Sequence, residues 1–196
     1  KGDSYMDILA RGGGILSSVK AVRQEAVLAV QFARRFFEHG TTTIEAKSGY
    51  GLDLENEIRM LEAMRDESAM EVVPTYLGAH ALPEEFRGNR EGFVERVLND
   101  LSTVADRHLA EFCDVFVEPG VFTPDEARRI FAKARSLGMQ IKVHADEFES
   151  SGGAALAVEV GATSADHLGA ITDADIHRIA ASPVIATLLP STLFML

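Results

Sequence analysis

The sequence is poor in the features that mark secreted, membrane-bound or nucleic-acid-binding chains. One cysteine, Cys113, occurs in 196 residues, so an intrachain disulfide framework is excluded and a reducing cytoplasm is the expected compartment. No apolar run approaches the roughly 20 residues that a membrane-spanning helix needs, and no secretory signal pattern is visible. Bases are scarce: 19 Lys and Arg stand against 30 Asp and Glu, for a formal net charge of −11. Non-specific binding to nucleic acid or anionic membranes rests on clustered Lys and Arg, so neither is expected as a partner. Neither GxGxxG nor GxxxxGK[ST] occurs, which removes the signature of a nucleotide fold. Gly12-Gly13-Gly14 lacks a preceding strand and reads as a turn, with at most a backbone contact to a ligand. An initiator Met is also missing: the chain opens at Lys1 and closes on the apolar run Thr192-Leu193-Phe194-Met195-Leu196. Domain ends are usually polar and exposed, so both ends are expected to be cuts within a larger domain.

What is present is an ordinary globular composition, 46% hydrophobic and 25% charged, enough for a substantial core. Helical and short apolar β-rich segments alternate along the whole chain. Helical spacing predicts a first helix from Leu16 to His39, and others over Leu54 to Glu67, Arg90 to His108, the stretch from Thr123 to Gly138, Ala154 to Val160, and Thr172 to Ala181. Thr123-Pro124-Asp125-Glu126 is a strong helix start, with an N-cap Thr, Pro at the first position and acids in the first turn. Six strands are predicted, over Thr41 to Lys47, Glu71 to Leu77, Cys113 to Val117, Gln140 to Val143, Ala162 to Ala165, and Val184 to Leu189. Regular βα alternation implies an α/β fold with a parallel sheet and crossover helices. No linker or low-complexity stretch divides residues 1–196, so one partial domain is expected.

The distribution of polar residues favours a (β/α)8 TIM barrel over an open sheet. Lys47, Tyr50, His80, Glu118, His144, Glu147, Asp166 and His167 all fall at or just after the C-terminal ends of predicted strands, where barrel enzymes assemble their sites. An open sheet would gather such groups at one switch point. A complete barrel has eight strands, so about six of eight are expected here. Strand alternation puts Thr43, Glu45 and Lys47 on one face, and Lys142 with His144; Glu118 is expected to join them, so that two Lys and two Glu neutralise one another inside the barrel.

Three strand-end histidines with nearby carboxylates point to catalysis. His144 is followed three residues on by Glu147, and His167 ends the next strand. Neutral imidazole suits Zn or Fe, and a carboxylate beside a metal-bound water can move protons. A lone histidine is more often a hydrogen-bonded core group; the convergence of several with acids changes that balance. His39, His108 and His177 lie in or at the ends of helices and are expected on the surface. Cys113 is expected to be structural. Tyr50 sits between glycines, which let backbone approach a ligand closely.

Lys47-Ser48-Gly49-Tyr50-Gly51-Leu52, Tyr76-Leu77-Gly78-Ala79-His80-Ala81 and His144-Ala145-Asp146-Glu147, with Ser4-Tyr5, Ala165-Asp166-His167-Leu168 and Leu188-Leu189-Pro190 in order, resemble the imidazolonepropionase family of the amidohydrolase superfamily. The resemblance covers essentially the whole chain. It implies an amidohydrolase barrel holding one Zn or Fe ion and hydrolysing 4-imidazolone-5-propanoate, a small-molecule substrate, to N-formimino-L-glutamate in histidine degradation. It further implies that His144 is a metal ligand, that Tyr50, His80 and Glu147 bind substrate, and that Glu147 and His167 take part in catalysis. A homodimer is the partner the family suggests. The chain departs from the family mildly at Ser191, where a Gly is expected after Leu188-Leu189-Pro190, and in three larger respects. It has no His-x-His pair, which the family uses as metal ligands; it has no strand-end Asp from a last strand and no substrate-gripping Arg near the His-x-His. One histidine cannot hold a catalytic zinc, which takes about three protein ligands, so the 196-residue chain alone is expected to be inactive and to bind metal weakly or not at all. Two other readings fit parts of the pattern: a related cyclic amidohydrolase or deaminase, and a degenerate barrel that acts as a binding or assembly module.

Overall fold

A computed structural model describes residues 35–65 and 70–195. Residues 35–38, at the end of the stretch expected as the first helix, are helical; the rest of that helix, Ser4-Tyr5 and Gly12-Gly13-Gly14 lie outside the described residues. Six parallel strands form one sheet: β1 (Thr43–Lys47), β2 (Glu71–Ala79), β3 (Phe112–Val117), β4 (Gln140–Ala145), β5 (Ser164–His167) and β6 (Ile185–Leu188). Their order in space is their order in sequence. The connecting helices are α1 (Leu54–Arg65), α2 (Arg90–Asp106), α3 (Pro124–Ser136), α4 (Gly153–Glu159) and α5 (Asp173–Ala180), and α6 (Pro190–Met195) follows β6. A 3-10 turn, Glu84–Phe86, precedes α2.

The local chemistry accounts for the element boundaries. Thr123 and Glu126 form a reciprocal capping box at the start of α3, with Pro124 inside the first turn. Thr172 caps α5 by accepting from the Asp175 N–H, and Asn89 caps α2 by accepting from Gly92. Gly138, with φ of 83°, closes the turn after α3. β3 is buried at every position, as expected of a parallel strand covered on both faces.

One contact shows that the sheet curls. β1 and β5 are four strands apart, roughly 19 Å along a flat sheet at about 4.8 Å per strand. Yet Lys47 Nζ of β1 lies 3.0 Å from Asp166 Oδ2 of β5. Two side chains cannot cover that distance on a flat surface, so they meet across the interior of a curved one. The six strands therefore make a half-barrel, in agreement with the expected fold. Alternate strand residues face outward into the helical layer. Cys113, Val115 and Val117 of β3 and Ile141, Val143 and Ala145 of β4 join one core with Phe93, Val97 and Leu101 of α2 and Ile130 and Phe131 of α3. Cys113 is fully buried there, as its structural reading required. β6 is exposed along its length, with Ile185 and Leu188 61% and 62% accessible.

The structure shifts several expected boundaries. β4 runs through His144 to Ala145, and β5 starts at Ser164 and includes His167, so both histidines belong to their strands. α6 is an addition to the expected elements: residues 192–195 of the terminal apolar run lie in a helix opened by Pro190. No helix of the described residues is long and apolar enough to cross a membrane.

Candidate active site

The C-terminal ends of the strands bring the expected residues to one mouth. Tyr50 packs edge-on against His80, with ring centroids 4.6 Å apart. His80 lies 6.2 Å from His144 and His144 4.9 Å from His167, again between ring centroids. Glu147 Oε1 is 3.2 Å from His167 Nδ1. Tyr50, His80, His144, Glu147 and His167 thus line a continuous arc from β1 to β5. His39, His108 and His177 are exposed and stand apart from it.

The loop after β1 is packed too tightly for any residue but glycine at two positions. A Cβ on Gly49, whose φ is 116°, would sit 2.8 Å from the Leu77 carbonyl oxygen; one on Gly51 would sit 2.5 Å from the Glu57 nitrogen. His80 fastens to this loop through Nδ1, 3.1 Å from the Gly49 carbonyl oxygen. A carbonyl only accepts, so Nδ1 carries the proton and Nε2 is left as the acceptor. Burial and the neighbouring His144 push His80 down to about 4, so this ring is neutral at physiological pH.

His144 behaves differently. Burial disfavours its charge, but the Asp114 carboxylate overcomes that penalty and the net shift is upward. Asp114 Oδ2 lies 2.8 Å from His144 Nδ1, and Asp114 Oδ1 accepts the His144 backbone N–H at 3.1 Å. His167 is pushed down to about 4 by burial and by His144. Glu147 is pushed up to about 7, chiefly by burial, with Glu118 adding to the rise and His144 opposing it. A carboxyl group poised near neutrality beside a neutral imidazole suits proton transfer in either direction.

Beneath the mouth lies a charged layer. Lys47 Nζ contacts Glu45 at 2.9 Å, Asp114 at 2.8 Å and Asp166 at 3.0 Å. Lys142 Nζ contacts Glu45 at 2.8 Å and lies over the Phe112 ring. The expected neutralisation inside the barrel is present, with one correction. Glu118 does not join it; its carboxylate accepts from the backbone N–H groups of Glu147, Phe148 and Glu149 at 2.7–3.3 Å. Glu118 follows the last residue of β3, where strand alternation no longer fixes the direction of a side chain. Asp114 takes the place in the charged layer, and it is the site residue that sequence reasoning missed. Its signal was a single acid inside the apolar run Phe112-Cys113-Asp114-Val115-Phe116-Val117.

Backbone strain gathers at the same rim. Of five non-glycine residues with positive φ among those described, four are Leu52, Asp146, His167 and Leu168, all just past or at a strand's C-terminal end. Such conformations cost about 1–3 kcal/mol each and persist where the surroundings impose them, often at functional sites.

The side chains fit a divalent metal by their donor chemistry. Asp114, His144 and Asp166 each offer a ligand atom within 4.8 Å of the others. The buried Nδ1 atoms of His144 and His167 contact carboxylates without the alignment of a hydrogen bond. Imidazole with carboxylate oxygen is a donor set that Zn and Fe accept. Of these three, Asp114 and Asp166 also accept from Lys47.

Several solved structures share the shape of this chain. An ADAL–IMP complex matches with a TM-score of 0.65 at 10% identity, over 88% of this chain and 55% of that one. The N6-methyl-AMP deaminase of Arabidopsis thaliana matches at 0.60 and 9%, over 89% and 66%, and Aspergillus niger ochratoxinase at 0.53 and 17%, over 94% and 47%. At these identities the likeness is one of fold. No protein-family model matches the chain. Curated sequences are far closer: imidazolonepropionases of Clostridium tetani and Fusobacterium nucleatum are each 48% identical across the whole chain, and that of Bacteroides thetaiotaomicron is 46% identical. The chain is thus similar to imidazolonepropionases along its whole length. It spans about half the length of the curated relatives it matches, 49% of the first two.

Proposed function

We propose that this chain forms the substrate-facing half of an enzyme that hydrolyses the cyclic amide of 4-imidazolone-5-propanoate to N-formimino-L-glutamate. The observation that carries the reading is the mouth itself: Glu147, poised near neutrality, 3.2 Å from His167, with His144 between His167 and the Tyr50–His80 pair. Identity of 48% to imidazolonepropionases over the whole chain supports the same substrate.

In this reading His144 is a metal ligand, and a bound Zn or Fe ion would acidify a water and polarise the scissile carbonyl. Tyr50 and His80 bind the imidazolone ring, the neutral His80 accepting a ring N–H at Nε2. Glu147 takes a proton from the attacking water and returns it to the ring nitrogen as the C–N bond breaks, so one water is consumed and no net proton is released by these steps. His167, neutral and in contact with Glu147, steadies the charge that builds during transfer. Asp114 orients His144 as a carboxylate partner of a metal-bound imidazole. The remaining ligands, a His-x-His pair and a strand-end Asp, are assigned to the part of the relatives' length that this chain does not span. The 196-residue chain alone is accordingly inactive and a weak metal binder. The complete enzyme is assigned to the cytoplasm as a homodimer.

The test is product analysis with the complete protein in H2(18)O. The reading expects N-formimino-L-glutamate carrying one labelled oxygen in the new carboxylate. Absence of that product, or a product retaining the ring, would overturn it.

A further inference from the structure

Two loops at the mouth are each held by one buried carboxylate, and the two arrangements are alike. Glu57, on α1, is 2% exposed. Its Oε2 accepts from the Gly49 N–H at 2.8 Å, and its Oε1 from Gly51 at 2.7 Å and Leu52 at 3.1 Å. These donors bracket Tyr50. Glu118, just past β3, is 3% exposed. It accepts from the Glu147, Phe148 and Glu149 N–H groups at 3.1, 3.3 and 2.7 Å. Neither loop has a strand or helix to satisfy these donors, and each loop contains a strained residue, Leu52 in one and Asp146 in the other. Unpaired buried N–H groups are costly, so a carboxylate that takes three fixes the loop as well as satisfying it. The loops have further, separate anchors. Arg96 donates to the Leu52 carbonyl at 2.6 Å, and the Asp146 carboxylate accepts from Ser151, Gly153 and Ala154 N–H groups.

We propose that Glu57 and Glu118 are positioning residues with divided labour: Glu57 sets substrate binding by holding the Tyr50 loop, and Glu118 sets proton transfer by holding the backbone of Glu147. The division rests on the reading of Tyr50 as a substrate contact and Glu147 as the proton carrier. A side chain displaced by about 1 Å can cost roughly a hundredfold in rate, so a loosened Glu147 lowers kcat, while a loosened Tyr50 raises KM.

The experiment combines amide hydrogen exchange and kinetics on the complete protein, unsubstituted and as Glu57→Gln and Glu118→Gln. Glutamine keeps the shape but replaces one acceptor oxygen with an NH2 group facing N–H donors. In the unsubstituted protein the amides of Gly49, Gly51, Leu52, Glu147 and Glu149 should exchange as slowly as strand amides although they lie in loops. Glu118→Gln should speed exchange at 147–149 only and lower kcat roughly ten- to a hundredfold with KM within about twofold. Glu57→Gln should speed exchange at 49–52 only and raise KM roughly tenfold or more with little change in kcat. Fast exchange of these amides in the unsubstituted protein overturns the proposal, and that result needs no variant to fold. So does a variant that loosens both loops alike, or one that leaves kcat and KM as they were. If the unsubstituted protein shows the slow amides but does not open the imidazolone, the clamps stand and the substrate assignment falls.

Discussion

Replacing Lys47 by Met removes an ammonium shared by three carboxylates. Asp114 and Asp166 side chains are 0% and 5% exposed, and Lys47 itself 21%. At an effective dielectric of about 20, a charge pair at the observed separations of 2.8 and 3.0 Å attracts by about 5–6 kcal/mol. Most of that offsets the desolvation of the three groups, and removing one member of a buried ion pair typically costs about 3–5 kcal/mol. With a urea dependence of about 2 kcal/mol per molar, the unfolding midpoint of the complete protein should fall by about 1.5–2.5 M. Lys142→Met is the control: Lys142 pairs with one carboxylate, Glu45, among the described residues, and Glu45 keeps Lys47 at 2.9 Å and the Thr75 hydroxyl at 2.6 Å, so the expected loss is about 1 kcal/mol. The pH dependence follows from Asp114. Burial raises its pKa, but His144 and Lys47 together hold it below the ordinary carboxylate range. In the unsubstituted protein this stabilisation is full above the unfolded value near 4 and is lost as pH falls through the folded one. Without Lys47, burial is less opposed and the folded value rises. The deficit of Lys47→Met should therefore shrink as pH is lowered towards about 4. A loss under about 1 kcal/mol, or a deficit independent of pH, would refute the view that Lys47 ties the layer beneath the mouth.

Three other outcomes are expected. Glu147→Gln should lower kcat roughly 10²–10⁴-fold without moving the unfolding midpoint; it should also abolish an acidic limb in kcat/KM that falls as pH drops below about 7, as followed by imidazolone absorbance. Gly49→Ala should destabilise the protein and raise KM, because its Cβ would meet the Leu77 carbonyl oxygen at 2.8 Å with φ at 116°; calorimetry and steady-state kinetics report the two effects. Cys113, fully buried and with its thiol pushed well up by burial, should react with a thiol reagent only as fast as the protein unfolds.

Much of the site is legible in the sequence because βα alternation places strand ends, and strand ends place side chains. The segments ending in His144-Ala145-Asp146-Glu147 and Asp166-His167 were positioned by the apolar residues before them and by the capped helices after them. Their convergence needed only the expectation of a closed, sequentially ordered sheet. Asp114 was less accessible. Within a run of apolar residues a lone acid has no face until the register is known, and only the pairing of Asp114 with Lys142 turns it inward. Glu118 was misplaced for the opposite reason: continuing strand alternation past Val117 sends it into the barrel, whereas the chain leaves the sheet there and its carboxylate turns to the next loop. Glu57 carries no signal at all, since an acid in the first turns of a helix is ordinarily a solvated charge. The helix after β6 could have been found from Pro190, a favoured residue at a first helical position, but the apolar run that follows lacks a polar face.

The most direct test of the central claim is turnover of 4-imidazolone-5-propanoate by the complete protein before and after chelation, with zinc or iron then returned. Ring opening should be lost on metal removal and restored by the ion, and the 196-residue chain alone should give no turnover. Turnover by that chain alone, or turnover by the complete protein that survives thorough metal removal, would contradict that claim.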